Sequence, residues 1–527
     1  MPIDDVDIPQ SPGWWLKREF ALLADRGRHH RLQRLHDYRS GNAPLPEGAE
    51  NAREAWETFQ RKARTNWAEL VVSAVSERMA PIGFRTALDS DETGDAEVGD
   101  LWERAGMDVR AADLHDTMLS LSEAYAIVGP MDEETGAPRV THEDPRWCVG
   151  EQDPEDSRRL IAGLKVLYDD VEREDRAYLY LPGRLTRSGR TQVWVARRQT
   201  SPYSPSTILG IGTPRRPPTV DFSPRGWDWV PERSGELPHR AMPMIRFDNK
   251  DGLGEYETHT DLIDRINHQI LWRLVIAVLQ AHRQKAAKGM PQVYPAGHPK
   301  AGQQIDYTDT FTSDPAAFWL LPPGAELWES TPTDLRPLLE AVKEDIRDLA
   351  AVTKTPMHVM MPGGVNQSAE GANLLREQNV FKVQDRIDRT SGQHARLMAV
   401  MLLHAGMADR ADLAKLHTMW APVHRLSLAE RADAAVKAKD DLPRRSRLIH
   451  IWGFSPAEAD RIMSEWEFDD LVAAQKAAAL AAELGVQPGL NNPRLPLAGE
   501  VVPGGEQPGG PPTVGSQQQP ALPAGSG

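Results

Sequence analysis

One cysteine, Cys148, stands in a chain of 527 residues. No intrachain disulfide framework and no cysteine zinc site can be built from it, which fits synthesis in a reducing cytoplasm. Cys148 therefore reads as a packed thiol rather than a nucleophile. Long apolar runs are also lacking. The most apolar stretch, Ile270 to Leu279, is about ten residues long and carries Arg273, whereas a membrane span needs about 20 apolar residues. Met1 to Gln10 is acidic and has no charged-then-apolar leader, so the chain reads as soluble with no membrane partner. Excess positive charge is missing too: the formal net charge is -15 and the pI about 5.6. That excludes a protein gripping nucleic acid through a basic surface, because such affinity comes largely from neutralised phosphates. It leaves room for a protein past which DNA slides.

The signatures of common chemistry are absent as well. No G-x-x-x-x-G-K-[ST] cradle occurs, so the chain is not a motor ATPase of that type. Gly210-Ile211-Gly212 lacks the third glycine of a dinucleotide loop and is followed by prolines. Neither H-E-x-x-H nor G-x-S-x-G is present. The 16 histidines are scattered, and His29-His30 sits in a basic helix where packing or solvation explains it. The acidic clusters Asp89 to Asp95 and Asp169 to Glu174 lie in turn-like stretches and read as solvated loops. Asn366-Gln367-Ser368 matches a glycosylation pattern that means nothing without a leader. The expectation is a protein without catalytic residues, metal or cofactor. A metal-dependent nuclease built on the acidic clusters is the enzymatic alternative.

What is present is a mixed α+β order. Trp14 to Tyr38 reads as one helix with a basic face (Lys17, Arg18, Arg26, Arg28, Arg31, Arg34), stopped by Ser40-Gly41-Asn42. Helices follow at Ala52 to Lys62 and Trp67 to Met79, and Leu101 to Ala126 reads as mostly helical. From Ala126 to Phe247 the pattern alternates, with strands around Leu164-Val166-Tyr168, Ala177-Leu179-Leu181 and Val193-Val195, as in an antiparallel meander. Tyr256 to Lys288 reads as a single helix of about 45–50 Å. Gly289 to Thr333 is a small mixed insert. Leu335 to Val352 is helical, with Leu335, Leu338, Leu339, Val342, Ile346 and Leu349 on one stripe. The loop Thr355 to Gln367 leads to a long helix from Ser368 to about His404. Capping boxes at Ser427…Glu430 and Ser455-Pro456-Ala457-Glu458 open two later helices, and an alanine-rich helix ends near Gly485. Beyond Pro488 the composition of Pro, Gly and Gln predicts disorder. Taken alone, two helices around an insert are equally an ordinary helical hairpin.

Several stretches in order resemble the portal proteins of long-tailed bacteriophages, the head-to-tail connectors. They are Arg31-Leu32 through Leu35-His36-Asp37-Tyr38 to Pro44-Leu45-Pro46, Asn66-Trp67 with Val71 to Arg78, and Met242-Pro243-Met244-Ile245-Arg246-Phe247-Asp248-Asn249. Leu262 to Asn267, Thr353 to His358, Asn366 to Gly371 and Ser427 to Lys437 continue the series. Together they span Arg31 to about Ala474. Ala369-Glu370-Gly371 departs from the family's usual order, and the region between Thr86 and Asp100 is unusually acidic.

The resemblance implies a portal fold: an α/β wing (1–255), a two-helix stem (256–288 and 335–354), a small mixed α/β clip (289–334), a tunnel loop (355–367), a long spine helix (368–404), a helical crown (405–486) and a disordered tail (487–527). It implies a homo-dodecameric ring at one capsid vertex, partnered by the major capsid protein, the terminase large subunit and the head-tail adaptor. Double-stranded DNA would pass without sequence-specific binding. Such a protein is found in the virion, after assembly in the host cytoplasm. His358, Val359, Met360, Met361, Gly363, Gly364, Val365 and Asn366 would line the tunnel. Tyr294, Asp306, Tyr307, Phe311, Phe318, Trp319 and Trp328 would lie in the docking clip. The channel wall is expected to be acidic or neutral. The basic face of Trp14 to Tyr38 would suit pairing with acidic patches on a neighbouring copy. Another head-tail connector or minor capsid protein is the further alternative.

Overall fold

The computed structural model describes residues 1–45, 53–86, 94–199, 226–281, 285–307, 324–329, 331, 333–361, 369–424 and 428–483. Gly210-Ile211-Gly212, Ser427 and the tail from 487 lie outside these residues. The architecture is α+β. It opens with helices α1 (Pro12–Leu23), α2 (Arg26–Arg39), α3 (Arg53–Ala63) and α4 (Trp67–Ser76), then strand β1 (Pro81–Arg85) and helices α5 (Ala96–Arg104) and α6 (Met107–Leu121). Strands β2 (Glu123–Asp132), β3 (Ala137–Glu143), β4 (Cys148–Gln152), β5 (Leu160–Asp169), β6 (Glu174–Leu181) and β7 (Gln192–Gln199) follow. The short β8 (Asp228–Trp229) and β9 (Gly235–Glu236) precede β10 (Met244–Asp248). Next come α7 (Thr260–Ala281), β11 (Lys285–Lys288), β12 (Glu326–Glu329), α8 (Arg336–Thr353), the short α9 (Met357–Met360) and α10 (Ala369–His404). The chain closes with β13 (His417–Trp420), α11 (Leu428–Lys437), α12 (Arg444–Arg447) and α13 (Pro456–Glu483). Residues 1–463 form one compact unit and 464–527 a second. No described helix is long and apolar enough to cross a membrane.

The predicted Trp14 to Tyr38 helix is two helices. Asp25 breaks it by acting as N-cap of α2, its carboxylate accepting from the Arg28 N–H at 2.7 Å. The break serves two cores. Trp15, Leu16, Phe20 and Leu23 of α1 pack with Leu164, Val166, Leu179 and Trp229 of the meander sheet. Leu32, Leu35 and Tyr38 of α2 belong instead to the main helical core. Much of the basic face expected to meet a neighbouring copy pairs within the chain. Arg28 pairs with Glu123 at 2.6 Å, Arg31 with Glu257 at 2.5 Å and Arg39 with Asp116 at 2.7 Å, while Arg18 pairs with Glu151.

The predicted helical stretch Leu101 to Ala126 also divides. Gly106, at φ 66°, separates α5 from α6, and Ser122, left-handed at φ 73°, ends α6 and turns the chain into β2. The alternating region is antiparallel as expected, with β4, β5, β6, β7 and β8 in sequential order and β9 pairing β7. A second sheet, ordered β10-β2-β3, packs on the first through Tyr125, Ile127, Cys148, Leu160, Tyr180 and Met244. Cys148 is fully buried there, and burial pushes its thiol well above the usual range.

Helix α7 is shorter than predicted. It covers 22 residues, about 33 Å, because Lys285–Lys288 extends into a strand that pairs with Glu326–Glu329. Helix α10 spans 36 residues, about 54 Å. The capping box at Ser455 forms as read: the Glu458 N–H donates to Ser455 Oγ at 3.3 Å, and the Ser455 N–H donates to Glu458 Oε2 at 3.1 Å.

Two buried histidines join α6 to α10. The Nε2 atoms of His115 and His394 lie 3.1 Å apart, enclosed by Trp102, Phe247 and Trp420. Burial holds His115 well below the usual histidine range and lowers His394 to about 4. A base whose folded-state pKa is depressed binds protons more readily when unfolded. Stability is therefore full above the unfolded value near 6.5 and falls as pH drops from there toward 4. The thermal midpoint of the wild type should fall across that window, and H394F should show a shallower dependence. Parallel slopes in the two proteins would show that this pair does not carry the effect.

Candidate channel and docking elements

Helices α7 and α8 lie against each other through one buried carboxylate. Asp345 accepts from Arg265 Nη2 at 2.6 Å and from Gln269 Nε2 at 2.7 Å. The predicted stripe of α8 supplies Val342, Ile346 and Leu349 to the core, while Leu339 stays partly exposed. On the opposite side Glu340, Glu344 and Asp348 follow at four-residue spacing and are exposed. Lys343 and Arg347 pair with Glu340 and Glu344 along the same helix.

Between the two helices the chain leaves through β11 and returns through β12. The ladder pairs Ala286 with Trp328 and Lys288 with Glu326. Of the residues predicted for docking, Trp328 stands on this ladder with 56% of its surface exposed. Tyr294 stacks on His298 with centroids 4.4 Å apart. Asp306 is exposed, and the Tyr307 hydroxyl donates to the Pro291 carbonyl at 2.7 Å. Phe311, Phe318 and Trp319 lie outside the described residues. The structure thus places Trp328 on the ladder and Tyr294, Asp306 and Tyr307 in the segment beyond it.

After α8 the chain caps at Lys354, in the left-handed region at φ 54°. The expected loop does not begin as a loop, because Met357–Met360 forms a helical turn closed by the Met361 N–H donating to the Met357 carbonyl at 2.8 Å. His358 is exposed and Val359 half-buried, whereas Met360 is buried and Met361 packs on the main core. Apolar burial favours placing both methionines against the helices rather than in water. Gly363, Gly364, Val365 and Asn366 lie outside the described residues, as do Gln367 and Ser368.

The residues that hold this segment were not singled out from the sequence. Glu255, which follows β10, receives Lys382 Nζ at 2.7 Å, Arg386 Nε at 2.6 Å and Asn249 Nδ2 at 3.1 Å. Lys382 Nζ also donates to the Thr353 carbonyl at 2.8 Å. Thr353 Oγ1 in turn donates to the Leu349 carbonyl at 2.6 Å and lies 2.9 Å from Thr355 Oγ1. One lysine therefore ties the end of α8 to α10, on either side of residues 362–368. These groups floor an open polar cavity of about 460 Å³ that Lys250, Asp251 and Lys354 help to line. Despite burial, the two converging cations hold the Glu255 carboxyl at about 2. A signal was present in the sequence: Asn379, Lys382, Arg386, Thr390 and His394 recur at helical spacing on the same side of α10 as Val383 and Ile387.

The acidic turn Asp169 to Glu174 is used structurally. Asp169 accepts the N–H groups of Val171 at 2.9 Å and Glu172 at 3.1 Å and pairs with Arg176 at 2.7 Å. In the other cluster, Asp95 caps α5 and pairs with Arg410 at 2.8 Å.

Removing the carboxylate at Glu255 leaves the buried Lys382 with only the Thr353 carbonyl and Arg386 with only Asp385, and breaking a buried ion pair in this way costs about 3–5 kcal/mol. E255Q should lower the denaturation midpoint and speed proteolysis between 354 and 369. The wild type should lose this contribution only as pH falls from about 4.5 through 2, because the folded-state pKa is depressed. Unchanged cleavage of E255Q at that segment would dismiss the tie.

Residues 25–272 match the family described as "Phage portal protein, SPP1 Gp6-like". No curated protein sequence matches the chain. Among solved structures, one described as "Neck of native GTA particle computed with C12 symmetry" is similar at 11% identity, over 79% of this chain and 98% of that one, with a TM-score of 0.33. The family match runs from Asp25, the cap of α2, through both sheets and Glu255 into α7. Over that span, a little under half of its length, the chain is similar to the phage portal proteins of the SPP1 Gp6-like family.

Proposed function

We propose that this chain is the subunit of a dodecameric portal ring, set at one capsid vertex as the channel through which a phage genome is packaged and ejected. The observation that carries the reading is the match to the portal family over residues 25–272. The order of elements is consistent with it. Residues 1–255 serve as the wing, α7 and α8 as the stem, and 289–334 as the clip. Residues 355–367 serve as the tunnel loop, α10 as the spine, and 405–486 as the crown. The role is structural: the protein guides DNA and docks partners, and it is not the motor.

The clip, with Tyr294, Asp306, Tyr307, Phe311, Phe318, Trp319 and Trp328, is the surface offered to the terminase large subunit and later to the head-tail adaptor. The wing and crown meet the major capsid protein. His358, Val359, Met360, Met361, Gly363, Gly364, Val365 and Asn366 belong to the loop nearest the DNA, with His358 the described side chain most open to it. The stripe Glu340, Glu344 and Asp348 is the kind of surface that lets a duplex slide, because like charge disfavours phosphate contact. Salt screens such repulsion over about 10 Å at 0.1 M.

Electron microscopy of the purified protein, with mass determination in parallel, tests the ring. The expected result is closed rings of about twelve subunits around a central hole, as heterologous contacts that close by rotation require. A protein that stays monomeric alone and when mixed with its capsid protein would contradict the reading.

A further inference from the structure

A cavity of about 310 Å³ opens where the start of β5, the turn at Arg184, β10 and α10 meet. Its floor is apolar, with Leu160, Met244, Val400 and Leu403, and its walls carry a surplus of guanidinium groups. Arg158 and Arg159 both pair with Asp156, at 3.2 and 3.1 Å, and Arg396 reaches the same carboxylate only at 4.0 Å. Arg184 pairs with Asp153. Arg240 lines the cavity with no side-chain partner among the described residues. Four guanidiniums thus share two carboxylates and Arg240 has neither, while the sixth lining arginine, Arg246, pairs with Glu123 and Asp248. Burial and the neighbouring Arg159 and Arg158 push Arg396 below its ordinary value, against the pull of Asp156. Gln393 also lines the cavity, is only 8% exposed, and its Oε1 accepts no hydrogen bond.

A bare phosphate satisfies the arginines but not the apolar floor. An acidic turn with an apolar side chain at its tip satisfies both.

The same subunit carries such a segment at the far end of the same strand. In the turn between β5 and β6, Val171 is 90% exposed, more than any other large hydrophobic residue among the described residues, and it is flanked by Asp170 and Glu172. Asp169 fixes this turn by accepting the Val171 and Glu172 N–H groups, and Arg173 completes it at φ 54°. The knob is therefore shaped before any partner arrives, which lowers the entropy lost on docking.

Strand β5 runs ten residues from the cavity at Leu160 to Asp169, about 33 Å at 3.3 Å per residue. The knob cannot fold back into its own cavity along a rigid strand. We infer that the Asp170-Val171-Glu172 turn of one subunit docks in the arginine-lined cavity of the next. Knob and socket at opposite ends of one element make a heterologous contact that repeats around a ring. The inference rests on the ring reading above and assigns it one contact.

The single native cysteine is buried, so introduced thiols report the contact cleanly. Leu413 lines the cavity and is half-exposed, and Val171 is on the surface, so neither change threatens the fold. In the full-length V171C/L413C protein, mild oxidation should give a reducible ladder of covalent oligomers, while each single variant stops at a dimer. Reversing the knob with D170K/E172K should abolish the ladder. Adding R158E/R240E to reverse the socket should restore it.

Rings seen by microscopy in the same sample without a ladder would overturn this contact and leave the ring standing. Neither ring nor ladder, alone or with the capsid protein present, would overturn both. A ladder indifferent to charge reversal, or one abolished by added duplex DNA, would also overturn the contact, the latter by marking the cavity as a phosphate site.

Discussion

The carboxylate of Glu255 is the point on which the central part of the structure turns. Three donors converge on it from two directions along the chain, Asn249 from the turn after β10 and Lys382 and Arg386 from α10. A charge buried to this degree is tolerable only when paired and hydrogen-bonded. The position of the β10 turn is therefore bound to the position of α10. Because Lys382 also holds the Thr353 carbonyl, the end of α8 is fixed by the same group. Two anchored ends therefore flank residues 362–368.

The glycine preceding Glu255 shows how tightly this junction is drawn. A Cβ on Gly254 would lie 2.5 Å from the Ser120 carbonyl oxygen, closer than packed atoms tolerate, so the end of α6 presses directly on the turn. Arginines elsewhere in the first half do similar work. Arg28, Arg31 and Arg39 reach residues as far along the chain as Glu257. A basic helix face that looks external in sequence is thereby used largely in holding α2 to α6, to the start of β2 and to the turn before α7.

Much of the fold was legible from spacing. The stripe of α8, the alternation of β5 to β7 and the capping box at Ser455 all appear where period and cap chemistry put them. Breaks were harder to see. Asp25 splits one predicted helix because a capping aspartate within a basic run looks like another surface charge. Ser122 ends α6 in a left-handed conformation that only tertiary context selects for a non-glycine residue. At the far end of α7, Lys285–Lys288 has no strand preference of its own and becomes one by pairing with Glu326–Glu329. The ties at the candidate site were hidden for a related reason. Lys382 and Arg386 look like ordinary exposed helix charges until Glu255, more than a hundred residues earlier, is brought beside them.

Strand β1 pairs with β13, placing Arg85 opposite His417. The sheet that seals α5 and α6 on one side is thus completed by residues made about 330 positions later. A ribosome adding about 5–20 residues per second needs on the order of tens of seconds to supply them. Contacts so distant in sequence also slow folding once the chain is free. The N-terminal half waits, unsealed, until most of the described chain exists, so a chain cut before His417 would leave that side of α5 and α6 open to water.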